Sequence, residues 1–452
     1  HCLFRDDVED GAAGGIEFRR RITQLIGSPP RDRLPEESEK VLRALIHPDT
    51  VIGSRQLPFP ALAQPSAEDD LLVLDRKQEA LAKTMGVGHR VIRGAAGSGK
   101  TLVLTYRARL LAETRPRDTV LVTCFTRSLA GRLRAQLAPW RNITVAHLDQ
   151  LMASARRAAD LDVEDYSRFS REDLAERALR ALDLRPEQAG RFDHVLIDEA
   201  QDFPTEALRF AVRQLAEGSD SLLAVADPVQ NIYRTRFTWK AAGIDAVGRT
   251  KWLDQCYRNT RQILEFAHNF LMAGHEFTLA SNPDPDDATT ITAPKLSTRL
   301  GPPPLILDAV SRPAEVLLMA AHCQKLVAAG TQPGEIAILY GVTWIAGFNW
   351  PQALVSVFAD QCIPLLWAND PDHRDRRDHI GEDQSRIVLC TIASAKGLEF
   401  GHVLLCGYLD DRLPEQSNVS RSLIYVGMTR ATNELVLSVS GHHRYLADLE
   451  RS

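Results

Sequence analysis

From about residue 71 onward, short unbroken apolar runs alternate with longer stretches whose apolar positions recur at helical spacing. Val91-Ile92, Val120 to Val122, Val195 to Ile197 and Leu222 to Val225 carry no polar interruption, so they read as strands buried on both faces. A second set follows at Leu305 to Leu307, Ile336 to Leu339, Ile387 to Leu389, Val403 to Leu405 and Leu435 to Leu437. Strands that alternate with helices pair in parallel, because each return needs a crossover helix. The pattern therefore predicts an α/β chain with two doubly wound, parallel-sheet lobes in tandem. Residues 147–190 break the rhythm with Arg- and Ala-rich helical sequence, which predicts a small helical insertion. The expected boundaries are an N-terminal accessory helical segment and linker over 1–70, a first lobe over 71–146 and 191–260 split by the 147–190 insertion, and a second lobe over 261–452.

Composition narrows the class of partner. The 452 residues are 44% hydrophobic, enough for two or three cores, and the net charge of −5 excludes a generally basic coat. Any polynucleotide would have to be held in a local groove. The seven cysteines are scattered, with no C-x-x-C pair, and read as reduced core thiols. No apolar run reaches 18 residues and no signal-peptide pattern opens the chain. The expectation is a cytoplasmic protein without a membrane partner. The chain opens on His1 rather than Met, which points to an N-terminal portion outside this sequence.

Gly94-Ala95-Ala96-Gly97-Ser98-Gly99-Lys100-Thr101 spells G-x-x-x-x-G-K-[ST] directly after the strand at Val91-Ile92. Glycines let successive backbone N–H groups turn inward onto phosphate oxygens, and the helix opening at Lys100 adds the positive end of its dipole. Lys100 is placed to neutralise β- and γ-phosphates and the Thr101 hydroxyl to complete a magnesium shell. About a hundred residues on, the strand ending at Ile197 delivers Asp198 and Glu199 to its tip. Asp198 would hold Mg2+ through water, and Glu199 would orient and deprotonate the attacking water. ATP and Mg2+ are the expected cofactors.

Read in order, these and further motifs resemble the UvrD/Rep-like branch of superfamily 1 helicases over residues 73–441. The resemblance implies two RecA-like lobes of the P-loop NTPase class, with ATP hydrolysed at their seam. Gln78, in Asp75-Arg76-Lys77-Gln78, resembles the family's adenine-reading glutamine. Phe125, Thr126 and Arg127 resemble a first single-strand motif, Phe125 stacking a base and its neighbours meeting phosphates. His147 falls in the next strand-tracking motif. Ala226-Asp227-Pro228-Val229-Gln230 resembles the coupling motif, with Gln230 sensing the γ-phosphate and Phe237 or Trp239 stacking a base. In the fourth motif Tyr257 would pack on adenine and Arg258 reach the γ-phosphate. In the fifth, Glu399 would meet the ribose, with Thr391, Ser394 and Lys396 near strand phosphates. The sixth supplies Arg430 as an arginine finger.

What the resemblance implies is an ATP-dependent translocase or helicase on single-stranded DNA, moving 3′ to 5′. RNA is the alternative polynucleotide, and a nucleotide-gated DNA clamp without stepping is the alternative mechanism. The chain departs from the family pattern at Ala226, where Gly is usual, and at Ala393, where His is common. The interval from Thr260 to Cys390 leaves no room for the large inserted subdomain of many relatives. Residues 1–70 weakly resemble the connector that joins a nuclease-related module to such motors, which would put a nuclease upstream of His1.

Overall fold

The structure is a computed structural model. It describes residues 78–449 apart from 79–81, 83–85, 87, 164, 231–236, 254–255, 257, 274–285, 288–298, 374–375, 378–379, 381–382, 409–420 and 441–447. The accessory segment expected over 1–70 and the adenine contact expected of Tyr257 lie outside the described residues.

Every apolar run named above forms a strand. The first lobe holds β1 (Arg90–Gly94), β2 (Val120–Cys124), β3 (Ile143–His147), β4 (His194–Ile197), β5 (Ser221–Ala226) and β6 (Thr250–Leu253) in one sheet of order β3-β2-β4-β5-β1-β6. All its pairings are parallel. The second lobe holds β7 (Leu305–Ala309), β8 (Ile336–Tyr340), β11 (Leu365–Trp367), β12 (Ile387–Thr391), β13 (Phe400–Cys406) and β14 (Ala431–Ser440), in the order β11-β12-β8-β13-β14-β7. It too is parallel throughout. A two-stranded antiparallel ribbon, β9 (Trp344–Ile345) with β10 (Phe348–Asn349), stands apart from it. Central strands such as β2 and β8 are buried at every residue, as helices on both faces require.

Parallel pairing has a consequence for position. Strand ends of the same sense share one edge, so Gly94, Cys124, Ile197 and Ala226 all deliver the residues that follow them to the same rim of the first sheet.

The Arg- and Ala-rich stretch folds as two helices, Leu148–Ala158 and Arg171–Leu184. Their small residues Ala155, Ala175, Ala178 and Ala181 pack in one cluster with Ile197 and Phe203, so the helices are part of the first lobe's core. The helix Arg261–Met272, capped by Thr260, turns Ile263, Phe266 and Phe270 into the core of the second lobe against Ile424 and Tyr425. The chain then touches the first lobe again, where Thr238 bridges Asp287 and the Trp239 N–H donates to the Asp286 carbonyl at 3.1 Å. By Arg299 it is back on the second lobe, with that guanidinium donating to Asn433 Oδ1 at 2.6 Å. Among the described residues no helix is long and apolar enough to cross a membrane.

Candidate functional site

The loop between β1 and the helix Lys100–Thr114 depends on two left-handed glycines, Gly97 (φ 74°) and Gly99 (φ 84°). Any side chain would be strained there, and a Cβ on Gly97 would lie 2.9 Å from Asn259 Oδ1. Lys100 is buried and folds back over the loop, donating to the carbonyls of Gly94 (2.9 Å) and Ala95 (2.8 Å) and reaching Asp227 Oδ2 at 3.4 Å.

Asp198 and Glu199 stand at the end of β4, both buried. Burial, then the neighbouring Glu199 charge, pushes the Asp198 carboxyl up to about 7, against the pull of Thr101 and Lys100. Its Oδ1 accepts from the Glu199 N–H at 2.8 Å, while Oδ2 is buried without a hydrogen-bond donor. Glu199 adopts a left-handed backbone, φ 53°, unusual for a non-glycine residue. Burial pushes its carboxyl up, but Lys396, Lys100, Gln201 and Arg430 together outweigh burial and hold it low. The pair thus divides into one carboxyl near neutrality and one firmly ionised.

A chain of amides fixes this arrangement. Gln201 Nε2 donates to Glu199 Oε2 at 2.5 Å, and Gln201 Oε1 accepts from the Asp227 N–H at 2.9 Å. Asp227 Oδ2 in turn accepts from Gln230 Nε2 at 2.7 Å. Gln230 Oε1 then takes the Arg430 guanidinium from the second lobe at 3.2 Å. Arg430 is 1% exposed, braced by the carbonyls of Val426 and Leu398, and burial followed by the nearby Arg258 charge lowers its pKa to about 10. Asn259 secures it from the crossing segment, because Nδ2 donates to the carbonyls of the flanking residues Thr429 (3.0 Å) and Ala431 (2.6 Å). Arg258 pairs with Glu399 across the same opening, and that pairing, with Arg132 adding to it, holds the Glu399 carboxyl low against burial. A cleft results, lined by Ala96, Gly97, Gly99, Lys100, Thr101, Glu199, Gln230, Arg258, Gly397 and Arg430.

The residues present fit a magnesium ion. A buried carboxylate oxygen lacking a donor, beside the Thr101 hydroxyl, is a set that an ion would satisfy. Among the described residues no group of three His, Cys, Asp or Glu side chains could hold a metal by itself. Magnesium would therefore need the phosphates of a nucleotide to complete its shell, which is its usual habit.

Several expected roles meet a different geometry. Gln78 is buried and donates from Nε2 to the Ser98 carbonyl at 2.7 Å, so its amide braces the phosphate loop rather than standing open to a base. Phe237 and Trp239 pack edge to face, 5.1 Å apart, inside the first core, so each ring is set against the other. Lys396 is drawn away from any strand into a buried ion pair with Asp202 at 2.6 Å and a bond to the Gln230 carbonyl at 2.6 Å. His147 donates from Nε2 to the Phe125 carbonyl at 2.6 Å, which makes it a brace for that backbone. Phe125 is 7% exposed, edge-on to Phe203 at 5.3 Å, with the Arg171 guanidinium carbon 4.3 Å over its ring.

Thr126, Thr391 and Ser394 do come together at a partly exposed seam, with exposed Arg127 next along the chain from Thr126. Thr126 caps the helix Arg127–Leu137 and donates to the Lys396 carbonyl at 3.3 Å. Ser128 donates to the Ser394 carbonyl at 2.7 Å, and Thr391 Oγ1 to Ser394 Oγ at 2.8 Å. Asp227, Gln201, Asn259 and Ser128 are the residues that motif reading left without a role. Asp227 had a readable signal, an acid at the tip of a buried strand like Asp198, whereas the amides had none.

Two family models match the chain. The first, described as an AAA domain, covers residues 77–236, and the second, a UvrD-like helicase C-terminal domain, covers 373–442. Together the two spans take in about half of the sequence. A probable DNA helicase II homolog of Mycoplasma capricolum is 25% identical over 196 residues, 41% of this chain and 24% of that protein. The ATP-dependent DNA helicase Rep of Escherichia coli is 35% identical over 77 residues, 16% of this chain and 11% of Rep. The ATP-dependent DNA helicase UvrD2 of Mycobacterium bovis is 28% identical over 163 residues, 34% of this chain and 21% of UvrD2. The matches thus span about a quarter or less of these relatives' lengths. With two all-parallel RecA-like lobes, a phosphate loop on the first and an arginine from the second closing over it, the chain belongs to the UvrD-like family of superfamily 1 helicases.

Proposed function

We propose that the chain is an ATP-driven motor on single-stranded DNA, a translocase and helicase that moves 3′ to 5′. The observation that carries this reading is the reach of Arg430 across the lobe seam to Gln230, which bonds Asp227, itself in reach of Lys100. An arginine delivered from the opposite lobe makes hydrolysis depend on lobe position, and lobe position depend on hydrolysis. The matched relatives whose printed names are ATP-dependent DNA helicase support the same reading.

In this reading an arriving triphosphate exchanges the Gly94 and Ala95 carbonyls on Lys100 for phosphate oxygens. Loop N–H groups from Ala96 to Lys100 bind the β-phosphate, with Ser98 among them. Thr101 and Asp198 would hold magnesium, which supplies charge neutralisation on the phosphates when bound. Glu199, held ionised and aimed by Gln201, takes the proton of the attacking water. Gln230, Arg258 and Arg430 stabilise charge on the transferring group, an effect worth about a thousandfold or more in analogous enzymes. Loss of the γ-phosphate loosens Arg430, and the seam that holds Thr126, Ser128 and Ser394 shifts with it. Bases and phosphates gripped on either side are then carried past one another.

ATP turnover measured with and without oligo-dT tests the reading. DNA should stimulate turnover, Lys100→Ala should abolish it, and Glu199→Gln should retain nucleotide binding but hydrolyse at least a hundredfold more slowly, on the order expected for loss of a general base. Turnover indifferent to DNA and RNA alike would overturn the motor; stimulation by RNA alone would move the substrate class.

A further inference from the structure

The helix Arg171–Leu184 starts with a cation at the end where the backbone dipole disfavours one. Its neighbours obey the usual rule. Glu172 and Asp173 fill the first turn, and Asp173 closes a capping box with Ser170, whose N–H donates to Asp173 Oδ2 at 2.9 Å. Arg171 is exposed to solvent overall, yet its guanidinium carbon sits over Phe125, 4.3 Å from the ring centre. Phe125 is the aromatic at the tip of β2, its carbonyl bonded by His147 and its ring set edge-on to Phe203. A braced aromatic at a strand end, with an arginine from an exposed helix start over its ring and close enough to act on buried Asp202, is a covered stacking platform.

We propose that Arg171 is a displaceable plug: in the absence of a strand its guanidinium occupies the face of Phe125 on which a base stacks, and an unpaired base must displace it. The inference rests on the strand-binding reading above and deepens it. A guanidinium is planar and delocalised and stacks on aromatic faces much as a base does. An exposed cation–π contact is also weak, while a stacked base covers more of the ring, so exchange favours the base. Bases paired in a duplex are not free to enter. The plug therefore makes Phe125 answer to bases and not to backbone charge, which favours single strands over duplexes of equal charge density.

Binding of fluorescent oligo-dT and of an abasic oligomer of the same length separates the two contributions, since both carry the same phosphates. Arg171→Ala should raise the ratio of oligo-dT to abasic affinity by about two- to fivefold, the size of one exposed cation–π contact. Phe125→Leu keeps the buried volume and removes the π face; it should collapse the ratio, and in its background Arg171→Ala should leave the ratio unchanged. Equal weakening of both oligomers by Arg171→Ala would mean a plain phosphate contact and overturn the plug, as would a ratio change that survives in Phe125→Leu. Wild-type protein that binds neither oligomer would remove the strand-binding reading itself, and the plug with it.

Discussion

Asp198 carries a proton in the ligand-free fold well above the pH at which the unfolded chain would lose it. Its carboxyl sits at about 7 in the folded state against 3.8 unfolded. Between about pH 4 and 7 the folded state therefore binds more protons than the unfolded one, so stability falls as pH rises through that window and is flat above it. Asp202, which burial raises to about 7 despite Lys396, has the same sign; Glu199, held low, has the opposite one. Asp198→Asn isolates the first contribution. It should stabilise the ligand-free protein by about 1–3 kcal/mol at pH 8, at ~1.4 kcal/mol per pKa unit, with the gain vanishing near pH 4 in thermal denaturation. The same change should abolish magnesium-dependent turnover. Asn259→Ala removes the donor shared by the Thr429 and Ala431 carbonyls and leaves both buried. A loss of about 1–3 kcal/mol in chemical denaturation is expected, with a fall in kcat larger than any rise in KM because Arg430 loses its brace.

At the scale of elements, the phosphate loop is where backbone geometry is least forgiving. Gly99→Ala places a Cβ against Gln78 on a left-handed backbone, so nucleotide affinity should fall steeply, with stability down by about 1–2 kcal/mol. Fluorescent nucleotide titration beside a melting curve would separate the two. Central strands were legible in the sequence because burial on both faces leaves an unbroken apolar run, as in Val120–Cys124 and Ile336–Tyr340. Within the two six-stranded sheets, the strands that such runs do not announce are β3, β6 and β11, and all three are edges. An edge strand faces water along one side, so Thr250-Lys251-Trp252-Leu253 mixes a Lys and a Thr into four residues and loses the signature. The site followed the same logic. Gly97, Gly99, Lys100, Asp198 and Glu199 announce themselves through local sequence, whereas Gln201 and Asn259 are ordinary amides until a fold gives them partners.

Across the whole molecule, the lobes are joined by contacts between residues far apart in sequence, which no local pattern could report. The most demanding is Lys396 with Asp202, nearly solvent-free on both sides. Breaking a buried pair leaves an uncompensated charge, so Lys396→Met should cost about 3–5 kcal/mol by denaturation. Replacing both, as Lys396→Met with Asp202→Leu, should recover most of that while DNA-stimulated turnover stays low, since the seam would no longer answer to Glu199.

The return of the chain to the first lobe at Asp287, before it settles on the second at Arg299, has a mechanical meaning. Eleven residues lie between these two anchor points, and the twelve Cα-to-Cα steps they make span about 40 Å at full stretch. The covalent connection between the two moorings sets an upper limit on their separation. If nucleotide release parts the lobes as proposed, the two moorings can recede no further than that reach, and trimming residues between them would turn its length into a dial on the largest stride of the proposed motor.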